Sequence, residues 1–314
     1  MLHKAPSSRD LTATVVLLAF LLSTRSGAAP DGQAAGAFWS HRFRISENLA
    51  YGDDPAQKLD LYLQGSWIGE PTYFQRAPDK RPTLIFIHGG GWIRGDKTGS
   101  DPPLFLPFVE RGWHVVNINY RLGKETAPAA IDDAVCALSW VVNHADDYGF
   151  DLDNIVVSGA SAGGHLALMA GIMGSRPGHP CYPGDDFTIA AVINWYGITD
   201  VRALARHYSQ TRPKANFPLK WVGKETSISQ IPSRYSPIEL VGGRVPPVLS
   251  IHGTDDSVVP HDQAINFHKR LEELGALHQL QSLQGGKHVG FSDAQFQQAF
   301  GAIFSFLDHA GIRR

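Results

Sequence analysis

The sequence predicts an α/β fold in which helices cover both faces of a mostly parallel central sheet, with a small cap inserted above it. Strand-like apolar runs alternate with helix-like segments along the chain, which is the pattern of parallel strands joined by crossover helices. Several of these runs are continuously apolar, as in strands that are buried on both faces. The chain has 314 residues, of which 43% are apolar. This is enough for one large domain, which we assign to residues 30–314.

The first half of this domain contains three predicted strands and one predicted helix. Residues 58–63 (KLDLYL) alternate apolar and polar side chains, which is typical of a half-buried strand. Residues 83–87 (TLIFI) and 114–119 (HVVNIN) are apolar runs of strand length. Between 129 and 144, apolar residues recur at the spacing of one helix face, so this segment is predicted to be a helix.

The second half continues the alternation, with one interruption. A short strand at 154–157 leads directly into a helix at 162–173. Further strands are predicted at 189–194, 247–251 and 278–283, and further helices at about 261–274 and 293–309. Residues 199–246 break the rhythm with several prolines mixed with aromatic and charged residues. We therefore predict that this segment is a cap inserted over the carboxyl edge of the sheet, where α/β folds bind their ligands.

Residues 1–29 have the layout of a secretory signal peptide. Lys4 and Arg9 precede an apolar stretch at 11–22, and small residues (GAA) follow at 27–29. The apolar stretch is shorter than the roughly 20 residues that a membrane-spanning helix needs, although a retained membrane anchor is the alternative. We expect a secreted or periplasmic protein that has no stable membrane association once the signal is removed.

Charge and cysteine content narrow the possible functions. There are 28 Lys and Arg against 30 Asp and Glu, a net charge of −2, whereas nucleic-acid-binding proteins usually carry a basic surplus. Cys136 and Cys181 are the only cysteines, too few for a zinc site with four cysteine ligands. In an exported protein they form either one disulfide or two buried thiols, because sequence does not reveal their separation. We predict no metal, no cofactor and no nucleic-acid partner.

A glycine-flanked serine follows the predicted strand at 154–157. In the motif GASAG at 159–163, Ser161 lies where this strand turns sharply into the next helix. Such a turn makes the serine hydroxyl project from the edge of the sheet, as a nucleophile requires. The flanking residues Gly159 and Gly163 allow the strand and the helix to pass close together.

A second motif, HGGGW at 88–92, follows the predicted strand at 83–87. Acyl transfer places negative charge on a carbonyl oxygen, and preorganised backbone N–H groups stabilise that charge. Glycines suit this task because the backbone can then approach the substrate without a Cβ atom in the way. The HGGGW loop is therefore a candidate oxyanion hole.

A nucleophilic serine requires a histidine base, and the base requires an acid that orients it. After a serine turn of this type, the acid and then the histidine follow along the chain. Asp255 and Asp256 both follow the strand at 247–251, and the spacing favours Asp256, which leaves Asp255 as a turn or capping residue. His288 lies in the loop between the last predicted strand and helix. Histidine in general suits proton transfer at neutral pH, because it changes charge near that pH.

The motifs HGGGW, GASAGGHLA, HGTDDSVVP and GGKHVGF occur in the order found in the α/β-hydrolase superfamily. From about residue 43 to 310, the chain resembles bacterial acetyl-xylan and feruloyl esterases of the BD-FAE type and hormone-sensitive-lipase-like carboxylesterases. This resemblance implies that Ser161 is the nucleophile, His288 the base and Asp256 the acid. It also implies an oxyanion hole made by the N–H groups of Gly90, Gly91 and Ala162, and structural roles for His88 and Gly89.

Together the motifs predict a secreted serine carboxylesterase that forms an acyl-enzyme intermediate on a small-molecule ester or an acylated polysaccharide. The near-neutral net charge is compatible with an uncharged ester. HGGGW also resembles the motif of kynurenine formamidases, so an amidase or formamidase with the same triad is the alternative. Several aromatic residues are candidates either for the substrate pocket or for the core: Trp92, Trp195, Tyr196, His207, Tyr208 and Trp221.

Overall fold

The computed structural model describes residues 43–64, 79–99, 101–174, 177–184, 186–223, 225–242 and 245–312. The predicted signal peptide at 1–29 lies outside these residues. Within the described ranges, eight strands form one sheet. The strands are β1 (Phe43–Ala50), β2 (Lys58–Gln64), β3 (Arg81–Ile87), β4 (His114–Ile118), β5 (Phe150–Ala160), β6 (Ile189–Trp195), β7 (Val248–Gly253) and β8 (His278–Leu283).

The strand order across the sheet is β1-β2-β4-β3-β5-β6-β7-β8. The pairs β1–β2 and β2–β4 are antiparallel, whereas every pair from β4 to β8 is parallel. The prediction of a mostly parallel sheet is confirmed. Because these strands are parallel, the loops that follow β3, β5, β7 and β8 emerge at the same edge, where α/β sheets bind ligands.

Two strands differ from the sequence prediction. Sequence analysis does not predict β1, because its half-exposed sequence FRISENLA shows no regular apolar alternation. In the described chain β1 is an edge strand that pairs with β2 alone, and its register shifts between Ser46 and Leu49. β5 begins at Phe150 rather than at the predicted 154, because residues 150–153 (FDLD), which include two aspartates, extend the strand beyond its continuously apolar part.

Helices flank the sheet. In chain order they are α1 (Pro102–Glu110), α2 (Ala129–Asn143), α3 (Ala145–Tyr148), α4 (Ala162–Met173), α5 (Val201–Thr211), α6 (Phe217–Val222), α7 (Pro237–Leu240), α8 (Asp262–Glu273) and α9 (Asp293–His309). The sequence pattern does not predict α1, because Pro107 lies inside this helix and proline usually breaks a helix interior. Among the described residues, no helix combines the length and the apolar character that crossing a bilayer requires.

The core consists of two apolar layers, one on each face of the sheet. Ile85 and Ile87 of β3 belong to the layer that contains residues of α2, α4 and α8. Leu84 and Phe86 point the other way and belong to the layer with α1 and α9. This division follows from the two-residue period of a strand. It explains why β3 is apolar throughout, and the helices on both faces match the predicted fold class.

The segment 199–246, predicted to be a cap, connects β6 to β7 and contains α5, α6, α7 and short 3₁₀ turns. Its residues Leu204, Tyr208 and Trp221 are buried in the same apolar layer as α2 and α4. Trp221 stacks on Trp92 of the HGGGW loop, with 4.4 Å between the ring centroids. The segment therefore packs directly on the loop that sequence analysis assigns to the oxyanion hole.

Cys136 in α2 and Cys181 in the loop before β6 form a disulfide, with their Cα atoms 4.9 Å apart. This is the first of the two arrangements that the sequence leaves open. The bond closes a loop across a sequence separation of 45 residues. It ties the α2 side of the sheet to the segment that leads into β6.

Replacing both cysteines by serine should lower the free energy of unfolding by about 4 kcal/mol, because a cross-link over a loop of this length restricts the unfolded chain. Urea denaturation measures the change. A reductant should destabilise the wild-type protein by a similar amount and leave the Cys136→Ser/Cys181→Ser variant unaffected. Equal unfolding midpoints for the wild-type protein and the variant, both measured without reductant, would contradict the prediction.

Candidate active site

Ser161 lies at the point where β5 ends and the chain turns into α4. Its backbone has φ 56° and ψ −117°, a conformation that is unfavourable for a residue with a side chain. The Ser161 N–H donates to the carbonyl oxygen of Trp195 at 2.8 Å, which ties the turn to the end of β6. The structure thus contains the strained strand–turn–helix arrangement that the GASAG motif predicts.

Two glycines make this turn possible. A Cβ atom at Gly163 would collide with the carbonyl oxygens of Ile87 and His88, and one at Gly159 would collide with the carbonyl group of Gly163. These neighbours are backbone atoms, which cannot move aside as the end of a flexible side chain can. The start of α4 therefore approaches the end of β3 this closely only because neither position carries a side chain.

The HGGGW loop leaves β3 beside Ser161 and offers free backbone donors. Gly90 and Gly91 have φ values of +126° and +63°, which glycine adopts readily. Both residues line the cavity that contains Ser161. In the part of the chain that the structure describes, the N–H groups of Gly90, Gly91 and Ala162 donate to no protein acceptor. These three groups are therefore available to an oxyanion.

His88 holds the start of the loop in place. Its Nδ1–H donates to the Gly89 carbonyl oxygen at 2.7 Å, and its ring stacks on Tyr120 at a centroid distance of 4.4 Å. The Gly89 N–H donates to the Asp101 carboxylate at 3.1 Å. Burial lowers the pKa of His88, so its ring is neutral at pH 7. These contacts are those of a structural residue.

Asp256 and His288 lie with Ser161 at the same edge of the sheet. His288 follows β8, and its Nε2 lies 3.0 Å from Ser161 Oγ. Its Nδ1 lies 2.7 Å from Oδ2 of Asp256, which follows β7. Residues that are far apart in the sequence thus form one hydrogen-bonded chain. This is the arrangement that base-assisted attack by a serine requires.

The two adjacent acids have different environments. Asp256 is buried, and its Oδ1 accepts two backbone N–H groups at 2.8 and 2.9 Å while Oδ2 faces His288. Asp255 is exposed, and its N–H donates to the Gly286 carbonyl oxygen at 2.9 Å. In this geometry Asp255 is a turn residue, and Asp256 is the one of the two that contacts the histidine.

His252 at the end of β7 contacts the same carboxylate and is not among the predicted site residues. Its Nε2 lies 3.2 Å from Asp256 Oδ2 and 2.9 Å from the carbonyl oxygen of Val259. Burial alone would raise the pKa of Asp256, but hydrogen bonds from His252 and His288 hold it well below its ordinary value. The acid is therefore ionised at neutral pH. The sequence signal that could have identified His252 is its place in the motif HGTDD, four residues before Asp256.

A buried network joins the HGGGW loop to α4 and to the cap. Trp92 Nε1 donates to Nδ1 of His165 at 3.1 Å. The Nε2–H of His165 then donates to the carbonyl oxygen of Tyr235 at 2.8 Å. Burial lowers the pKa of His165 to about 4, so the ring is neutral and can donate and accept at once. Sequence analysis gives His165 no role, although it lies in the GGHLA part of the serine motif.

A buried ion pair anchors the segment 93–99, which continues the HGGGW loop. Lys97 Nζ lies 3.0 Å from Asp60 Oδ2 in β2, and both side chains are only 4% exposed. The ammonium group also donates to the Asn48 side chain at 3.0 Å. The backbone N–H of Lys97 donates to the Asn119 side chain at 2.6 Å, and its carbonyl oxygen accepts from Asn117 at 2.7 Å. These contacts mean that the antiparallel edge of the sheet supports the segment after the HGGGW loop. None of the predicted site residues lies at that edge.

Replacing Lys97 by methionine should lower the free energy of unfolding by about 3–5 kcal/mol, because Asp60 would be left buried without a counter-charge. Urea denaturation measures this loss. The Asp60→Asn/Lys97→Met double variant removes both charges and should recover most of the lost stability. A single variant as stable as the wild-type protein would show that the ion pair does not support the fold.

A cavity of about 710 Å³ opens over Ser161 and His288. Its size falls within the range of small-molecule sites. Residues of the HGGGW loop and of the segment after it line this cavity together with residues of the cap. Among the aromatic candidates, Tyr196 and Tyr208 line this cavity, and the Tyr196 ring lies 4.8 Å from that of His288. The tryptophan candidates are buried in the core instead: Trp92, Trp195 and Trp221.

The chain is similar to known esterases in sequence and in structure. It is 32% identical to Esterase LipC of Mycobacterium tuberculosis over 247 residues, which span 76% of this chain but only 58% of LipC. A truncated form of a carbohydrate esterase from gut microbiota has a similar structure, with a TM-score of 0.67, 25% identity, and coverage of 87% of this chain and 98% of that chain. The propionate-bound thermophilic esterase Est2 of Thermogutta terrifontis has a TM-score of 0.65, 25% identity, and coverage of 85% and 94%.

The profile of the BD-FAE family matches residues 72–271. This stretch, well over half of the chain, includes the HGGGW loop, the Ser161 turn and Asp256. His288 lies beyond the matched residues, on the loop that follows β8 at the same edge of the sheet. The family match and the eight-stranded sheet agree with the resemblance seen in the sequence motifs. The chain therefore belongs to the BD-FAE family and has the α/β-hydrolase fold.

Proposed function

We propose that this protein is a serine hydrolase that cleaves carboxylic esters through an acyl-enzyme intermediate. The observation that carries the proposal is the hydrogen-bonded chain from Asp256 through His288 to Ser161, with unpaired backbone donors beside it. The relatives support it, because LipC is named an esterase and both structural neighbours are described as esterases.

Each residue of this chain has a distinct part in the proposed reaction. His288 Nε2 removes the proton of Ser161 Oγ as this oxygen attacks the ester carbonyl carbon. Asp256 accepts the Nδ1–H, which keeps Nε2 free of hydrogen before the attack and stabilises the imidazolium afterwards. The N–H groups of the HGGGW loop and of Ala162 bind the oxyanion. Ala162 begins α4, so the positive end of the helix dipole adds to this stabilisation.

Breakdown of the tetrahedral intermediate completes the acylation step. His288 gives the proton to the leaving oxygen, the alcohol departs, and the acyl group stays on Ser161. A water molecule then loses a proton to His288 and attacks the acyl carbon. The bond between the acyl carbon and Ser161 Oγ then breaks, His288 returns the proton to Oγ, and the carboxylic acid leaves.

An organophosphonate probe tests the proposal. We expect one equivalent of the probe to abolish the hydrolysis of 4-nitrophenyl acetate, because the phosphonyl group traps the nucleophile in a tetrahedral form. Mass spectrometry of the digested protein should locate the adduct on the peptide that contains Ser161. Hydrolysis that continues after labelling, or an adduct on another residue, would refute the proposal.

Amide cleavage would use the same residues, and the relatives favour ester cleavage because they are named esterases. Phenyl acetate and acetanilide share the acyl group and differ in the leaving atom, so they test the choice directly. We expect a larger kcat/KM for the ester. A larger value for the anilide would favour an amidase or formamidase.

We also propose that the protein acts outside the cytoplasm on an acylated polysaccharide. The pattern of residues 1–29 supports export, and the Cys136–Cys181 disulfide fits an oxidising compartment. N-terminal sequencing of the expressed full chain tests export, and an uncleaved N-terminus in the cytoplasm would contradict it.

The similarity to a carbohydrate esterase supports a carbohydrate ester as the substrate. Acetate release from acetylated xylan tests this substrate class, and no release would contradict it.

A further inference from the structure

The charge of this chain is segregated between the cap and the rest of the molecule. Residues 199–246 contain eight Lys and Arg but only three Asp and Glu, whereas the remaining chain contains 20 Lys and Arg and 27 Asp and Glu. The cap thus carries a net charge of +5 and the rest carries −7. A cleft wall with one sign of charge attracts ligands of the opposite sign. The near-neutral total of the chain conceals this asymmetry.

Two of the cap cations line the cavity over Ser161. Arg212 follows α5 and Lys220 lies in α6, and both contribute to the cavity wall. In the described part of the chain, neither has a carboxylate within ion-pairing distance. The other cap residues on this wall are neutral: Tyr208, Ala215 and Phe217. The cap side of the cavity is therefore cationic.

The two carboxylates that line the cavity, Asp96 and Asp101, follow the HGGGW loop in the chain and already accept hydrogen bonds. Asp96 accepts hydrogen bonds from the N–H and hydroxyl of Thr98 at 2.8 and 2.6 Å and from the Asn119 side chain at 2.8 Å. Asp101 accepts the Gly89 N–H at 3.1 Å. Arg94, on the same loop, adds a third cation to the cavity wall. Within the described residues, no ion pair joins either acid to Arg212 or Lys220.

We propose that the ester substrate carries a carboxylate that binds Arg212 and Lys220 on the cap side of the cavity. This inference rests on the proposed function, because it names the substrate class of the same site. A guanidinium group presents parallel N–H donors that match a carboxylate, and an ammonium group adds a point charge. An ester on a polysaccharide that contains uronic acid, or a half-ester of a dicarboxylic acid, has this chemistry.

Two pairs of substrates of equal size locate the carboxylate. 4-Carboxyphenyl acetate and 4-carbamoylphenyl acetate differ in charge on the alcohol side, and phenyl hydrogen adipate and phenyl adipamate differ in charge on the acyl side. We expect kcat/KM for the anionic member of at least one pair to exceed that of its neutral amide by roughly tenfold, the scale of a hydrogen bond to a charged group. The pair that shows the preference identifies the side of the ester that carries the carboxylate.

Single variants test the residues, with the ratio of anionic to neutral kcat/KM as the readout. Arg212→Gln and Lys220→Gln should each reduce this ratio. Arg206→Gln removes a charge from an exposed position of α5 outside the cavity wall and should leave the ratio unchanged. The ratio cancels effects that are common to both substrates, such as partial misfolding.

The possible failures are distinguishable. Hydrolysis of the neutral esters without any preference for their anionic partners would overturn this inference and leave the proposed function intact. A ratio that falls as much in Arg206→Gln as in Arg212→Gln would also overturn it, because the effect would then come from the overall field of the cap. Hydrolysis of none of the four esters would overturn the proposed function as well.

Discussion

Replacing Ser161 by alanine should lower kcat for 4-nitrophenyl acetate by about 10⁵- to 10⁶-fold, the scale observed when the serine of such a triad is removed. The oxygen atom that is lost lies 3.0 Å from His288 Nε2 and is the proposed nucleophile of the acylation step. The backbone donors remain, so water attack on a bound ester accounts for the small residual rate. Steady-state kinetics and organophosphonate labelling measure the loss together, since the variant should not be labelled.

The variant should remain folded, because alanine removes a single oxygen atom from the turn between β5 and α4. Circular dichroism and the urea midpoint check this. Ser305→Ala makes the same chemical change at an exposed position of α9 and should hydrolyse the ester at the wild-type rate. A folded Ser161→Ala protein with wild-type turnover would rule out Ser161 as the nucleophile.

Replacing Asp256 by asparagine should lower kcat by about 10⁴-fold, because the amide stabilises the wrong tautomer of the imidazole. In the wild-type protein, Oδ2 lies 2.7 Å from His288 Nδ1 and requires the hydrogen on that nitrogen. The asparagine NH₂ group can donate to Nδ1, which moves the ring hydrogen to Nε2. A hydrogen on Nε2 prevents this atom from accepting the proton of Ser161.

The neighbouring acid provides the matched control for this prediction. Asp255→Asn makes the same chemical change one residue away, at an exposed turn position. It should leave kcat within about twofold, in line with the small effect of most surface substitutions. A larger loss of kcat in Asp255→Asn than in Asp256→Asn would reassign the acid.

The parts of the candidate site that the sequence predicts are those encoded by short, local patterns. The Ser161 turn depends on two glycines within two residues of it, because the close approach of α4 to β3 excludes any Cβ atom there. The HGGGW loop depends on consecutive glycines directly after a buried strand. The glycines lie within a few residues of Ser161 or directly after a strand, so the motifs are visible in the sequence, although some of the contacts that require glycine join α4 to β3.

The choice between Asp255 and Asp256 needed the turn geometry, because adjacent side chains leave a turn in different directions. Spacing favoured Asp256, and the structure brings it to His288 while Asp255 faces solvent.

The sequence pattern does not predict β1 and α1, because neither element has the usual local signal. The edge strand has one partner and no apolar alternation, and α1 contains an internal proline that tertiary packing tolerates.

The sequence by itself determined the α/β class, the alternation of most strands and helices along the chain, and the motifs that contain Ser161, His288 and the HGGGW loop. These features follow from apolar periodicity and from short motifs that are read directly in the chain. Only the tertiary structure decided the Cys136–Cys181 bond, the Lys97–Asp60 ion pair, and the placement of Arg212 and Lys220 in the cavity that contains Ser161. Each of these joins residues that are distant in the chain, and their separation depends on the packing of the whole sheet.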